Sequence, residues 1–290
     1  MWQETIQFEG PYNFDLVLSH LQDDPLNWVD KRTKTLKIPY YGDKPQVVTV
    51  QGVGTTDAPK FIVTSEGPAP KDKVLQRVAH ILQWDVSLHD IHEYFLKTDL
   101  RPIFEKHKGT PLILDFDLYA CLVKCIIHQQ LNMAFARKLT ERFVHTYGFQ
   151  QEGVWFYPSP EIIADIRIEE LRQMQFSQRK AEYIIGVSKL IVTGELNLSD
   201  LAELSDDEIM KRMVKIRGIG PWTVENFLLF GLGRPNLFPK ADIGIQNALK
   251  KLYNLEQKPT YDEMDEYKRP WEPYLSYASL YLWRSIEATE

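Results

Sequence analysis

The sequence has few cysteines and no long apolar run, and both shortages narrow what the protein can be. Only two cysteines occur among the 290 residues, and Cys121 and Cys125 lie four positions apart on one predicted helix. Two thiols cannot build a disulfide framework or a four-cysteine iron-sulfur cluster. No stretch approaches the ~20 consecutive apolar residues of a membrane-spanning helix, and the N-terminus lacks the features of a signal peptide. We therefore expect a cytoplasmic protein whose cysteines are core residues.

The chain also lacks an overall excess of positive charge. Its formal net charge of −6 argues against bulk electrostatic attraction to nucleic acid. The segment from Ile209 to Lys251 differs, because it contains eight basic residues and two acidic ones. Such segregation is expected when one face of a protein meets phosphate, although a solvated surface gives the same pattern.

The pattern of apolar residues changes near residue 70. Before it, the segments 34–41, 46–50 and 60–64 are rich in β-branched and aromatic residues and are separated by turn residues, and 13–21 has helical spacing. After it, helical spacing continues to the C-terminus, with no strand predicted and a last helix over 271–287. We therefore predict an α+β protein. A mixed α/β domain with a small antiparallel sheet covers residues 1–70, and a mostly helical region covers 71–290.

The most informative segment runs from Met213 to Asn226. An apolar helix ends there, Gly218-Ile219-Gly220 forms a tight turn, and Pro221 stands where the first turn of the next helix favours proline. This predicts two helices joined by a hairpin within residues 206–231. Glycines let the backbone approach a phosphate, and the first N–H groups of the second helix can point at an anion. A plain helix-helix turn without a ligand fits the same residues about equally well.

A single aspartate stands out about twenty residues downstream. Asp242 precedes an apolar helical segment, where it fits the N-cap position. For an isolated aspartate in this setting, capping alone is a sufficient explanation.

The hairpin and Asp242 together resemble the helix-hairpin-helix (HhH-GPD) superfamily of base-excision DNA glycosylases, in particular the 3-methyladenine DNA glycosylase II type. Residues 126–132 resemble the family segment that fronts the pocket and fills the gap left by an extruded base. Residues 270–278, with Leu282 and Trp283, resemble its C-terminal helix. The resemblance extends over nearly the whole chain and is most specific between the hairpin and Asp242.

The resemblance implies a monofunctional glycosylase that flips alkylated purines, such as 3-methyladenine and 7-methylguanine, out of double-stranded DNA and hydrolyses their N-glycosidic bond. Its carboxylate would hold the oxocarbenium-like sugar or orient the attacking water. The matching positions are Asp242 for catalysis; Trp222, Trp271 and Gln129 for the base; and Gln130, Gly218, Gly220 and Thr223 for DNA. Which of the two glutamines fills the gap stays open.

Two further expectations follow from the resemblance. Trp222 occupies the position where bifunctional relatives carry a Schiff-base lysine, so we expect base release without strand cleavage. The hairpin is also expected to hold Na+ or K+ through the backbone carbonyls of Val214, Ile216 and Ile219, with no other cofactor required. We expect a monomer.

Two alternatives remain. A glycosylase for oxidised purines would need the lysine that Trp222 replaces. A DNA-binding module without chemistry would not need Asp242. Asn226 and Ala241 depart from the family pattern, which leaves the breadth of substrates open.

Overall fold

A five-stranded antiparallel sheet forms the N-terminal part of the protein, whose computed structural model describes residues 1–42 and 44–286. The strands are β1 (Trp2–Gln7), β2 (Trp28–Asp30), β3 (Thr35–Tyr40), β4 (Gln46–Gly52) and β5 (Lys60–Ser65). Their order is β1-β5-β4-β3-β2, and every neighbouring pair is antiparallel. The α+β prediction is confirmed. The edge strands β1 and β2 were not predicted, because an edge strand is half polar and β2 is only three residues long.

The helix that follows β1 packs on this sheet. Helix α1 (Phe14–Gln22) begins after Asn13, whose side chain accepts a hydrogen bond from the Leu16 amide at 3.1 Å. Its apolar face buries Val17 and Leu18 against the strands. Capping and amphipathic spacing therefore explain both where this helix begins and which side it buries.

The remainder of the chain is mostly helical. The helices are α2 (Lys71–Leu82), α3 (Leu88–Phe95), α4 (Arg101–Lys106), α5 (Leu118–His128), α6 (Met133–Tyr147), α7 (Pro160–Ala164), α8 (Ile168–Gln173), α9 (Gln178–Val192), α10 (Asp206–Met213), α11 (Pro221–Asn226), α12 (Ile243–Leu252), α13 (Tyr261–Lys268) and α14 (Leu275–Ile286). Helix α11 continues as a π-helical turn over Phe227–Gly231. Within the described ranges, none of these helices is long and apolar enough to cross a membrane.

A small β-hairpin interrupts the helical region, where no strand was predicted. Strands β6 (Phe149–Gln151) and β7 (Val154–Phe156) pair around a two-residue turn. Both turn residues have positive φ, 52° for Glu152 and 81° for Gly153, as in the tight turns that suit a hairpin. Val154 and Phe156 pack against Val47 of the sheet. The region is mostly helical as predicted, and this hairpin was missed because its strands are only three residues long.

The last helix begins later than predicted. Residues Arg269–Trp271 form a 3-10 turn, Glu272 is extended, and α14 starts at Leu275. Pro273 accounts for this, because the residue before a proline avoids the helical conformation. Residue 287, the predicted end of this helix, lies outside the described residues.

Two main hydrophobic cores organise the protein. One joins the sheet and α1 to α2–α4 and to α12–α14, and the other is built from α5–α11. The change of sequence pattern near residue 70 therefore marks the end of the sheet, whereas the packing crosses it. That residues 1–70 form a domain of their own stays a prediction.

Candidate active site

A large cleft collects most of the predicted site residues. Its volume is about 1310 Å³, and its walls come from the α5–α6 turn, the α10–α11 hairpin, the start of α12 and the helix α14. Small-molecule pockets are typically ~300–1,000 Å³. The cleft therefore has room for a nucleotide together with part of the strand that carries it.

The hairpin turn depends on Gly218. This residue has φ +95°, and a Cβ on it would lie 2.1 Å from Cγ of Tyr183 on α9. Both observations require glycine. The Ile219 amide then donates to the Ile216 carbonyl at 3.0 Å, which closes the turn. The backbone is therefore fixed by packing from behind, while its other side lines the cleft.

Gly220 has a different role in the same turn. It is the residue before α11, and a Cβ placed on it would meet nothing within 4 Å. Since Gly220 lines the cleft and no side chain caps α11 there, the first N–H groups of this helix are open to a ligand. Unpaired amides at a helix start favour an anion such as phosphate.

Asp242 lies in the cleft as the N-cap of α12. Its Oδ1 accepts a hydrogen bond from the Ile245 amide at 2.9 Å and a second from Nε1 of Trp283 at 2.8 Å. The side chain is half-buried and lines the same cleft as the hairpin glycines. Two donors on one carboxylate oxygen fix the orientation of the carboxyl group.

Trp283 reaches Asp242 because Gly244 has no side chain. A Cβ on Gly244 would lie 2.9 Å from both Oδ1 of Asp242 and Cδ1 of Trp283. The Trp283 ring also stacks near Phe230, with the ring centroids 6.0 Å apart and the planes inclined by 26°. The tryptophan of α14 is thus a wall of the cleft as well as a support for the carboxylate.

The two tryptophans that were predicted to face the base lie in different environments. Trp222 is half-buried at the cleft, one residue after Pro221. Trp271 is 0% exposed, belongs to the first core, and donates its Nε1–H to Oδ1 of Asp99 at 2.8 Å. The structure therefore contradicts the prediction that Trp271 faces a base. Its physical role is packing, and Trp283 supplies the second aromatic wall.

The two glutamines at the end of α5 have distinct environments. Nε2 of Gln129 donates to the Gly218 carbonyl and to Oγ1 of Thr223, both at 2.8 Å. Gln130 is exposed and has φ 55°. Gln129 thus ties its turn to the hairpin, whereas Gln130 protrudes. Thr223 itself is buried, so only its backbone could contact DNA.

Sequence reasoning missed a group of polar residues at the cleft. Nζ of Lys180 on α9 donates to carbonyls at the end of α5, and burial lowers the pKa of Lys180 to about 8. Lys124 forms an ion pair with Asp115. Burial alone would lower the pKa of Lys124, but Asp115 raises it. No local signal in the sequence marks these residues as part of a site.

His128 is the remaining polar residue of this group. Its Nε2 lies 3.1 Å from Oγ1 of Thr140. Burial is the main cause that lowers the pKa of His128 to about 4, and the positive charge of Lys124 is the second. The charges of Lys180 and Arg137 also lower this pKa, whereas Asp115 raises it. The ring is therefore neutral at pH 7.

The basic segment around the hairpin is partly neutralised by the fold. Arg217 pairs with Glu182 at 2.6 Å, and Lys240 with Asp265 at 2.6 Å. Arg234 likewise lies 3.1 Å from Asp206. The positive face predicted from charge counting is therefore smaller than the sequence indicates.

In the ranges 1–42 and 44–286, no group of three or more His, Cys, Asp or Glu side chains could hold a metal ion. Val214, Ile216 and Ile219 lie between the end of α10 and the start of α11, and the Ile216 carbonyl, which accepts one bond, keeps a second lone pair. Neutral carbonyl oxygens suit a monovalent cation, so these residues fit the predicted site.

The hairpin presents open amides to the cleft, and the next helix, α12, begins with a carboxylate that faces the same cleft. These two features define a DNA glycosylase of the helix-hairpin-helix type. The family model described as HhH-GPD superfamily base excision DNA repair protein matches residues 123–273, and the chain belongs to this family.

Known proteins support this assignment. The chain is 52% identical to YfjP of Bacillus subtilis (strain 168), named as a candidate DNA-3-methyladenine glycosylase, over 99% of this chain and 100% of that protein. It is 37% identical to a DNA-3-methyladenine glycosylase of the same organism, over 68% of this chain and 71% of the relative. The 3-methyladenine DNA glycosylase of Archaeoglobus fulgidus has the same fold, with a TM-score of 0.83 at 23% identity, covering 98% of this chain and 97% of the other.

Proposed function

We propose that the protein is a monofunctional DNA glycosylase that hydrolyses the N-glycosidic bond of alkylated purines, including 3-methyladenine and 7-methylguanine, after extruding the nucleotide from double-stranded DNA. The observation that carries this proposal is the Asp242 carboxylate, held by two donors in the cleft that the hairpin glycines also line. The names of the relatives support the substrate class.

The chemistry follows from the placement of Asp242. When the bond from C1′ to a cationic purine breaks, the base leaves with the bonding electrons and the sugar becomes positively charged. Both bonds described above end on Oδ1, so Oδ2 is the oxygen that can face this charge. A fixed carboxylate stabilises such charge more strongly in a site shielded from water than in bulk solvent. Water then adds its hydroxide to C1′, and its proton passes to Asp242 or to solvent.

Recognition of the base is assigned to aromatic faces. Trp222 and Trp283 both line the cleft beside Asp242. An electron-rich ring attracts a cationic purine by roughly 0.5–2 kcal/mol, depending on desolvation. The alkylated base would therefore be favoured over the neutral normal base without any sequence-specific contact.

DNA is anchored by the hairpin and by the neighbouring turn. The open amides at Gly220 would bind a backbone phosphate, and the carbonyls of Val214, Ile216 and Ile219 would hold a Na+ or K+ ion that neutralises it. Gln130 is the better candidate to fill the gap, because the amide hydrogens of Gln129 are bonded within the protein.

We propose base release without strand cleavage. The Schiff-base position holds Trp222, which has no amine. Among the described residues, the lysines that line the cleft are Lys124 and Lys180, and the amines of both are bonded within the protein. We also propose that the protein is a cytoplasmic monomer.

Asp242→Asn tests the proposal without disturbing the fold, since Asn caps a helix about as well as Asp. We expect free base to be released from methylated duplex DNA roughly 10²–10³-fold more slowly than by the wild type. Asp262→Asn, at an exposed site on α13, is the control and should be fully active.

Three outcomes would contradict the proposal or a part of it. Equal rates for Asp242→Asn and wild type would remove the catalytic assignment. DNA binding by both proteins with no base released by either would instead identify a binding module. A borohydride-trapped adduct with abasic DNA would contradict the monofunctional mechanism.

A further inference from the structure

The turn that carries Gln130 has an unfavourable backbone. Helix α5 ends at His128, Gln130 lies in the left-handed region with φ 55°, and α6 begins at Met133 after the cap Asn132. A residue other than glycine in this region costs of order 1 kcal/mol, which neighbouring structure must offset. Something outside the turn therefore holds it.

Lys180 on α9 contacts this turn. Its Nζ donates to the carbonyl of Ile126 at 3.2 Å, to that of Ile127, and to that of Gln129 at 2.7 Å. The last carbonyls of a helix have no partner within the helix, and a cation there is also favoured by the helix dipole. The three hydrogens of one ammonium match these three acceptors. The Gln129 carbonyl belongs to the peptide bond that leads into Gln130.

The same helix supports the hairpin. Tyr183, one turn after Lys180 on α9, lies directly behind Gly218. Gln129 completes the connection through its bonds to the Gly218 carbonyl and to Thr223. The exposed glutamine and the DNA anchor are therefore positioned relative to each other through α9.

We propose that Lys180 is a positioning residue, which holds Gln130 in the conformation that fills the gap left by the extruded nucleotide. This rests on the proposed function, because only extrusion from a duplex creates such a gap. Half burial lowers the pKa of Lys180 to about 8, so its ammonium form, with all three donors, predominates at pH 7.

The test compares duplex with single-stranded DNA. A single strand has no stacked gap to fill, so a positioning defect should affect the duplex alone. For Lys180→Met, which keeps an apolar chain but no donor, we expect the ratio of duplex to single-strand rates of base release to fall about ten-fold at pH 7, the size of effect expected when a charged hydrogen bond is lost. Lys180→Arg should restore most of the ratio, and Lys189→Met, at an exposed site on the same helix, should not change it.

Binding provides a readout independent of catalysis. Duplex DNA containing a tetrahydrofuran abasic site presents the gap without a base to remove. Wild type should bind this DNA more tightly than intact duplex. In Lys180→Met, the ratio of the two affinities should be about ten-fold smaller. Thermal unfolding of each variant verifies that it is folded.

The outcomes separate the two proposals. Equal losses on duplex and single-stranded DNA, an unchanged ratio, or an unchanged abasic-site preference would overturn the role of Lys180. If the wild type released no base from either DNA but its abasic-site preference depended on Lys180, the proposed function would fail and the positioning role would stand.

Discussion

The hydrogen bond from Trp283 to Asp242 gives the sharpest prediction. Trp283→Phe keeps an aromatic ring but removes the Nε1–H that donates to Oδ1 at 2.8 Å, leaving the Ile245 amide as the remaining donor described for that oxygen. A hydrogen bond to a charged group contributes about 1.5–3 kcal/mol. If that energy helps to orient the carboxylate in the transition state, base release should slow by roughly 10–100-fold.

The chain contains a matched control for this change. Trp271 donates the same kind of bond, also at 2.8 Å, to Asp99, but it is buried in the first core. Trp271→Phe should therefore lower the free energy of unfolding by about 1–3 kcal/mol and leave the rate of the folded protein within about two-fold of wild type. The assay is single-turnover release of free base from methylated duplex DNA, with urea unfolding of each variant.

Two results would refute this reasoning. If folded Trp283→Phe released base as fast as wild type, the tryptophan would not support Asp242. If both variants slowed base release equally, the effect would be a general loss of stability, and the distinction between the cleft and the core tryptophan would fail.

Two further predictions concern phosphate binding and pH. Gly220→Asp places an anion at the open start of α11 and should weaken binding to duplex DNA about ten-fold at low salt and less at high salt. Gly220→Ala, whose methyl group meets no neighbour and accepts no hydrogen bond, should bind like wild type, and equal binding by both variants would contradict the phosphate anchor. Burial, followed by Lys124, lowers the pKa of His128 to about 4, so its contribution to stability is complete above pH 6.5 and is lost as the pH falls from 6.5 to 4. The free energy of unfolding of wild type should therefore drop by about 2–3 kcal/mol more than that of His128→Gln over this range, and parallel curves would exclude the effect.

The elements that local sequence chemistry dictates were predictable. Gly218 marks the hairpin because its backbone admits little else, and the position of Asp242 before an apolar segment identifies it as a helix cap. Such features depend on a few neighbouring residues. The α+β class follows from the change of spacing near residue 70 for the same reason.

The contacts between distant segments were not predictable in this way. Trp271 and Trp283 lie near each other in sequence, and whether a tryptophan faces a core or a cleft depends on how α14 packs. Lys180 joins α5 across more than fifty positions. The β6–β7 hairpin does leave a local signal, since Glu152-Gly153 separates two short alternating segments.

The placement of Lys180 and Tyr183 on adjacent turns of α9 constrains how this protein can change. Any shift of α9 moves the supports of the protruding turn and of the glycine hairpin together. Under the proposed function, binding of the DNA strand and filling of the gap in the duplex would therefore change together. A change in the damaged base that is accepted would then have to come from the opposite wall of the cleft, where α12 and α14 carry Asp242 and Trp283 and pack in the other core.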